Sequence, residues 1–217
     1  MKKETKRKFG IAGILLGAFA VWTAAVRLID IQSIGPRGSV VGFATINGLV
    51  HDLTGVHLSL YTVTDWLSLV PIGTAMGFAL LGLIQWMKRK RLKQVDFSIL
   101  VLGGFYLVVM AAYVLFEVLV INYRPVLMGG YLEASYPSST TMLVLCVMPT
   151  AIMQLNTRIK SKILKRCTTF GITAFTVFMV IGRLLSGVHW FTDIVGGALL
   201  SAGLVMLYHS ITSLEIK

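Results

Sequence analysis

Six stretches of this chain contain no Asp, Glu, Lys or Arg: residues 9–25, 66–87, 97–116, 138–157, 167–182 and 194–214. A helix needs about 20 mostly apolar residues to cross a bilayer, and these stretches meet or nearly meet that length. The backbone explains why such runs become helices. In hydrocarbon every N–H and C=O must find its partner within the segment, and a helix achieves that. Only 13% of the 217 residues are charged, about half the share of a soluble domain, and the mean hydropathy is +0.80. An ordinary water-soluble globule, a disordered chain and a nucleic-acid module are excluded despite the net charge of +11. The fold class expected is all-α: one integral membrane domain over residues 1–217, built as a six-helix bundle.

The basic residues fix an expected orientation. Lys2, Lys3, Lys6, Arg7 and Lys8 precede the first stretch. Lys88, Arg89, Lys90, Arg91 and Lys93 separate the second from the third, and Arg158, Lys160, Lys162, Lys165 and Arg166 the fourth from the fifth. With Lys217, sixteen of the twenty basic residues fall on one side of a six-span path. The positive-inside rule places that side, and both termini, in the cytoplasm. Residues 1–8 are read as a basic cytoplasmic tail. The first apolar run, although it contains Ala18-Phe19-Ala20, exceeds an ordinary signal-peptide core and is read as an uncleaved first helix. Residues 31–65 form an extracytoplasmic loop with a short interfacial or re-entrant helix. Cys146 lies in an apolar run and Cys167 beside a basic cluster, so no disulfide is expected. A bacterial inner membrane suits this pattern.

The other side is poor in charge, and its few polar residues collect at three places. The first holds Glu117 and then Asn122-Tyr123-Arg124-Pro125, where Pro125 keeps Arg124 out of helical geometry. An arginine there offers a planar fork to a phosphate, or else snorkels to head groups. The second is Tyr136-Pro137-Ser138-Ser139-Thr140-Thr141, a helix start whose free N–H groups suit an anion and whose hydroxyls suit capping. The third runs from Gly182-Arg183 to His189 and Asp193. The last two are four apart, so a helix beginning near His189 would bring them together. A carboxylate on one imidazole nitrogen leaves the other basic and aimed. His51 and His57 lie in the 31–65 segment, where head-group or structural contacts are the plainer account. No metal-binding spacing is present, so neither a metal nor another cofactor is expected.

These three segments resemble the type 2 phosphatidic acid phosphatase family, whose pattern is K-x6-R-P, then P-S-G-H, then S-R-x5-H-x3-D. Arg183, His189 and Asp193 match the third element, with Gly182 at its leading serine. Arg124-Pro125 matches the end of the first, with Glu117 at the lysine. Pro137-Ser138 matches the start of the second, with Ser139 at the glycine and Thr140 at the histidine. The resemblance implies six membrane helices and an active site at the extracytoplasmic face. It implies His189 as the nucleophile forming a phosphohistidine, Asp193 as its support, and Arg124, Arg183, Ser138 and Ser139 as phosphate-binding residues. Thr140, Glu117, His51 and His57 stand as auxiliary candidates. The substrate implied is a phospholipid or isoprenoid phosphate among membrane lipids, with no nucleic-acid partner. Because Glu117 and Thr140 replace a cation and a general acid, the alternative is a catalytically weak or inactive binder of phosphorylated lipid.

Overall fold

The computed structural model describes residues 3–214, and eight α-helices account for most of them. They are α1 (Lys3–Leu28), α2 (Ala44–Thr54), α3 (Leu58–Leu67), α4 (Leu69–Arg89), α5 (Phe97–Val118), α6 (Ser139–Arg158), α7 (Lys162–Leu185) and α8 (Phe191–Thr212). Six segments are long and apolar enough to cross a membrane: α1, the continuous pair α3–α4 over Leu58–Arg89, and α5 to α8. The protein is an integral, multi-pass membrane protein. The end where α4 joins α5 and α6 joins α7 carries the basic clusters and is called the basic end here.

Two boundaries differ from the sequence reading. The expected basic tail is helical from Lys3, because Lys8 pairs with Glu4 one turn earlier at 3.2 Å and donates to Ser213 Oγ at 3.3 Å. The second span begins inside the expected 31–65 loop, at Leu58 rather than residue 66. Charge misled there: Asp65 marks a loop in a charge-based reading but remains helical as a counter-ion to Arg183. The rest of the 31–65 segment contains α2.

Most packing falls on the later helices. α6 packs against both α7 and α8, and α1 lies along α8. Gly203 takes the crossing with α1, where a Cβ would stand 2.7 Å from Leu16 Cδ2. Buried Phe19, Phe105, Tyr136, Met142, Leu200, Leu204 and Tyr208 form the main core. α4 and α5 instead leave large apolar side chains exposed, including Leu80, Leu107 and Met110. In a bilayer those faces meet lipid, which is as apolar as the side chains themselves.

Candidate active site

The site lies at the end opposite the basic clusters and is assembled by two loops. The chain after α5 turns at Gly129-Gly130, both at positive φ, and doubles back. Arg124 N donates to Glu133 O (3.0 Å) and Ser135 N to Asn122 O (2.9 Å). This antiparallel pairing sets Arg124 opposite Glu133 and Ser135 opposite Asn122, so both site residues are carried by one hairpin. Trp190 Nε1 donates to Tyr123 O at 2.7 Å, tying the loop to the start of α8. The second loop joins α7 to α8 and carries His189. Gly187 turns it at φ 67°, pressed so close to Gly55 that a Cβ would overlap the Gly55 carbonyl oxygen. Asn47 of α2 secures the same corner, accepting from Thr192 N at 3.1 Å and donating to Thr192 Oγ1 at 3.0 Å.

His189 is 4% exposed and Asp193 fully buried. The expected direct hydrogen bond between them is absent: His189 Nδ1 and Asp193 Oδ2 are 3.7 Å apart. α8 begins at Phe191, so His189 precedes the helix instead of sharing a turn with Asp193. Ser135, which the sequence reading missed, fills the gap. Its Oγ lies 3.1 Å from His189 Nδ1 and donates to Asp193 Oδ2. Asp193 Oδ2 also accepts from Trp190 N at 2.8 Å, so one carboxylate caps α8 and anchors this relay. With the Ser135 hydrogen committed to the carboxylate, His189 must donate from Nδ1. Nε2 is then the bare, lone-pair nitrogen, and it faces Arg124 Nη1 at 3.4 Å. Burial pushes the imidazole pKa down to about 4; Asp193 opposes that shift and the Arg124 charge adds to it. The ring is therefore neutral at pH 7.

Two guanidinium groups belong to the site, Arg124 beside the imidazole and Arg183 beyond it across Tyr61. Arg124 Nε stands 3.1 Å from Glu133 Oε2, outside hydrogen-bond alignment. Arg183, only 2% exposed, donates from Nη2 to Thr140 Oγ1 (2.6 Å) and from Nη1 to Thr64 Oγ1 (3.3 Å), and meets Asp65 Oδ1 at 3.5 Å. Both lie over the ring of Tyr61, with Cζ-to-centroid distances of 5.9 Å for Arg124 and 4.6 Å for Arg183. Arg124 Nε, Arg183 Nε and Asp193 Oδ1 are buried without a hydrogen-bond partner. Two cations at one aromatic ring, with donors unused, form a ready receptor for an anion.

Gly182 explains its own departure from the family pattern. A Cβ there would stand 2.8 Å from Thr64 Cγ2, so the missing side chain lets α3 seat against α7. That approach delivers Tyr61, Thr64 and Asp65 to Arg183. None of the three was legible as a site residue, because the sequence reading assigned 31–65 to a loop.

The other candidates divide. Thr140 is buried and bound to Arg183. Ser138 is buried, its N–H donating to Asp193 O at 3.0 Å, but its hydroxyl caps no backbone N–H and instead accepts from Thr141 Oγ1 at 3.0 Å. Ser139 and the exposed Glu117 line a small cavity with Tyr113, Ser135 and His189. His51 and His57 are not among the residues lining it. His57 Nε2 sits 2.9 Å from Thr54 O, and the His51 ring packs 5.5 Å from that of Trp190. Among the described residues no group of three or more His, Cys, Asp or Glu could hold a metal ion.

A second cavity continues from the first. It measures about 510 Å³ and runs between α4, α5 and α6, from Asp65, Ser139 and Thr140 down to Tyr106 and Val147. Tyr113, Ser139 and Met142 line both spaces. Its wall is apolar below the first turn, so a polar site opens directly onto a lipid-facing groove.

Residues 122–217 match the model of the PAP2 superfamily. The fold is similar to the crystal structure of a transmembrane PAP2-type phosphatidylglycerolphosphate phosphatase from Bacillus subtilis, with a TM-score of 0.58 and 19% identity. That likeness covers 94% of this chain and 96% of the other. No curated protein matches the sequence significantly.

Proposed function

From the match of residues 122–217 to the PAP2 superfamily model and the geometry of the site, we propose that this protein hydrolyses a lipid phosphate or prenyl diphosphate through a phosphohistidine on His189, at the extracytoplasmic face of a bacterial cytoplasmic membrane. The observation that carries the reading is the buried neutral imidazole, held from behind by Ser135 and Asp193 and aimed at Arg124, whose guanidinium shares the Tyr61 ring with that of Arg183.

The substrate phosphoryl group takes the space between Arg124 and Arg183, and its tail lies in the α4–α5–α6 groove. Arg124 turns from Nε2 to the phosphoryl oxygens, which frees the lone pair. Nε2 attacks phosphorus as the bond to the leaving oxygen breaks. Charge accumulating on the imidazole is shared with Asp193 through the Ser135 hydroxyl, while the guanidiniums neutralise the phosphoryl oxygens. Water then cleaves the N–P bond, releasing phosphate and restoring neutral His189. Thr140 has no proton of suitable acidity to give the leaving group. General acid catalysis contributes about 10²–10⁴-fold, so a diphosphate, which expels a phosphate, is the preferred substrate over an alkyl monophosphate. The reaction uses no metal, and chelators leave its rate unchanged.

Purified protein in nanodiscs should release phosphate faster from a prenyl diphosphate than from the matching monophosphate. An acid-labile, base-stable phosphoprotein should accumulate on quenching and be absent in His189→Ala. Equal rates for the two lipids would remove the diphosphate preference. The second reading, a phosphate-lipid binder without turnover, is favoured by Thr140 and Glu117 at the pattern's histidine and lysine. It is the correct reading if lipid phosphate binds and His189→Ala alters no phosphate release.

A further inference from the structure

The groove that opens from the site runs between α4 and α5 on one side and α6 on the other. A further cavity of about 300 Å³ lies between α4 and α5 toward the basic end, lined by residues including Phe78, Gly82, Trp86, Ile99, Leu102 and Gly103. Among the described residues Tyr106 alone lines both. It stands between them and is braced. Thr150 Oγ1 lies within 2.9 Å of both Cys146 O and Val147 O, so its hydrogen is committed to α6. Its oxygen accepts from the Tyr106 hydroxyl at 3.1 Å. The ring also packs on Phe105, 5.6 Å between centroids. A tyrosine tethered at its far end and packed on one face is a fixed partition.

We infer that Tyr106 is the residue that sets how much of the substrate's hydrocarbon tail this protein holds. The inference rests on the lipid-phosphate reading of the site. Ser139 to Val147, the reach of the upper cavity along α6, spans about 12 Å at the helical rise per residue. A tail anchored by its phosphate at Arg124 and Arg183 therefore runs beside Tyr113, Met110 and Val109 and meets the Tyr106 ring. The remainder turns out into the bilayer. Moving that remainder from lipid into a protein groove gains no hydrophobic energy, so the partition acts by steric exclusion. The site recognises the head group and the first part of the tail and is indifferent to the length of hydrocarbon beyond the Tyr106 ring.

The test tracks the chain end. Hexadecyl phosphate with a terminal diazirine is photolysed with the protein in nanodiscs, and adducts are mapped on Phe78 and Ile99. Both line the lower cavity and are 8% and 5% exposed, so bulk lipid reaches them poorly. The wild type should show no octyl-phosphate-displaceable adduct at either residue. Tyr106→Ala should raise that adduct at least tenfold, and Gly103→Phe in the same background, which refills the lower cavity, should remove it. Displacement by octyl phosphate reports that each variant is folded and binds head groups. Displaceable labelling of Phe78 or Ile99 in the wild type, or none in a Tyr106→Ala protein that binds octyl phosphate, would overturn the partition. Failure of the phosphatase reading is seen separately, as the absence of phosphate release from any lipid.

Discussion

The bundle holds two polar clusters, one at each end, and they are built to opposite purposes. At the basic end Asp96 meets Arg89 at 3.1 Å and Arg158 at 3.3 Å, and exchanges hydrogen bonds with Gln85 through its side chain and backbone. Gln154 links Arg158 to Tyr208. The Gln85 hydrogen bond foremost, with Arg89 and Arg158 adding to it, holds the Asp96 carboxyl below the usual range. The cluster joins the ends of α4, α5, α6 and α8. At the other end Arg183 and Arg124 are buried and crowd one tyrosine ring, and each keeps its Nε without a hydrogen-bond partner although Asp65 and Glu133 stand 3.5 Å and 3.1 Å away. A staple satisfies its charges within the fold. A receptor leaves them short, because the ligand completes them.

The largest expected break between the two ends is His189→Ala. It removes the proposed nucleophile and should lower phosphate release by roughly 10³-fold or more, since residues acting as one catalytic unit fail together. Asp96→Asn at the other end should leave the rate within about twofold, as exposed ion pairs contribute little. A comparable loss of turnover from both would erase the distinction between receptor and staple. Ser135→Ala comes next. It deletes the hydroxyl joining imidazole to carboxylate, and a hydrogen bond to a charged group is worth about 10- to 100-fold. Ser135→Thr keeps the hydroxyl and should restore most of the rate. Parity of the alanine and threonine variants would remove Ser135 from the relay.

How far the sequence could be read depends on which residues act through neighbours in the chain. Arg183, His189 and Asp193 lie within one turn-and-helix unit, so their spacing carried the site. Arg124 was marked by the proline after it. Ser135 was invisible because it reaches His189 only through the hairpin-like pairing of 122–124 with 133–135, a long-range register that no local pattern signals. Tyr61 and Thr64 were lost for a different reason: Asp65 made the segment look like a loop, whereas its charge is balanced by Arg183 across the bundle. The six spans were legible because the bilayer enforces a length on each, and their ends shifted where a charge found a partner inside the protein.

Titration of His189 sharpens the comparison in another way. An imidazole lowered to about 4 by burial binds fewer protons folded than unfolded, where its pKa is about 6.5. Its contribution to stability is complete above about pH 6.5 and is lost as pH falls toward about 4. Nitrogen-15 NMR of labelled histidine should show this ring neutral at pH 6, and thermal stability should decline through that window in the wild type more than in His189→Gln. An imidazolium signal at pH 6 would refute the neutral nucleophile.

The smallest expected effect concerns Tyr61. Its ring lies under both guanidiniums, and a cation–π contact is worth about 0.5–2 kcal/mol, or roughly 2- to 30-fold. Tyr61→Leu should loosen the pair. KM for the lipid phosphate and the inhibition constant for inorganic phosphate should rise together within that range, while kcat changes less. Tyr61→Phe keeps the ring and should stay close to wild type, which separates the platform from any role of the hydroxyl. Equal behaviour of the two variants would mean that Arg124 and Arg183 are held by Glu133, Thr140 and Thr64 alone. The two ends would then differ only in burial and not in how their cations are supported.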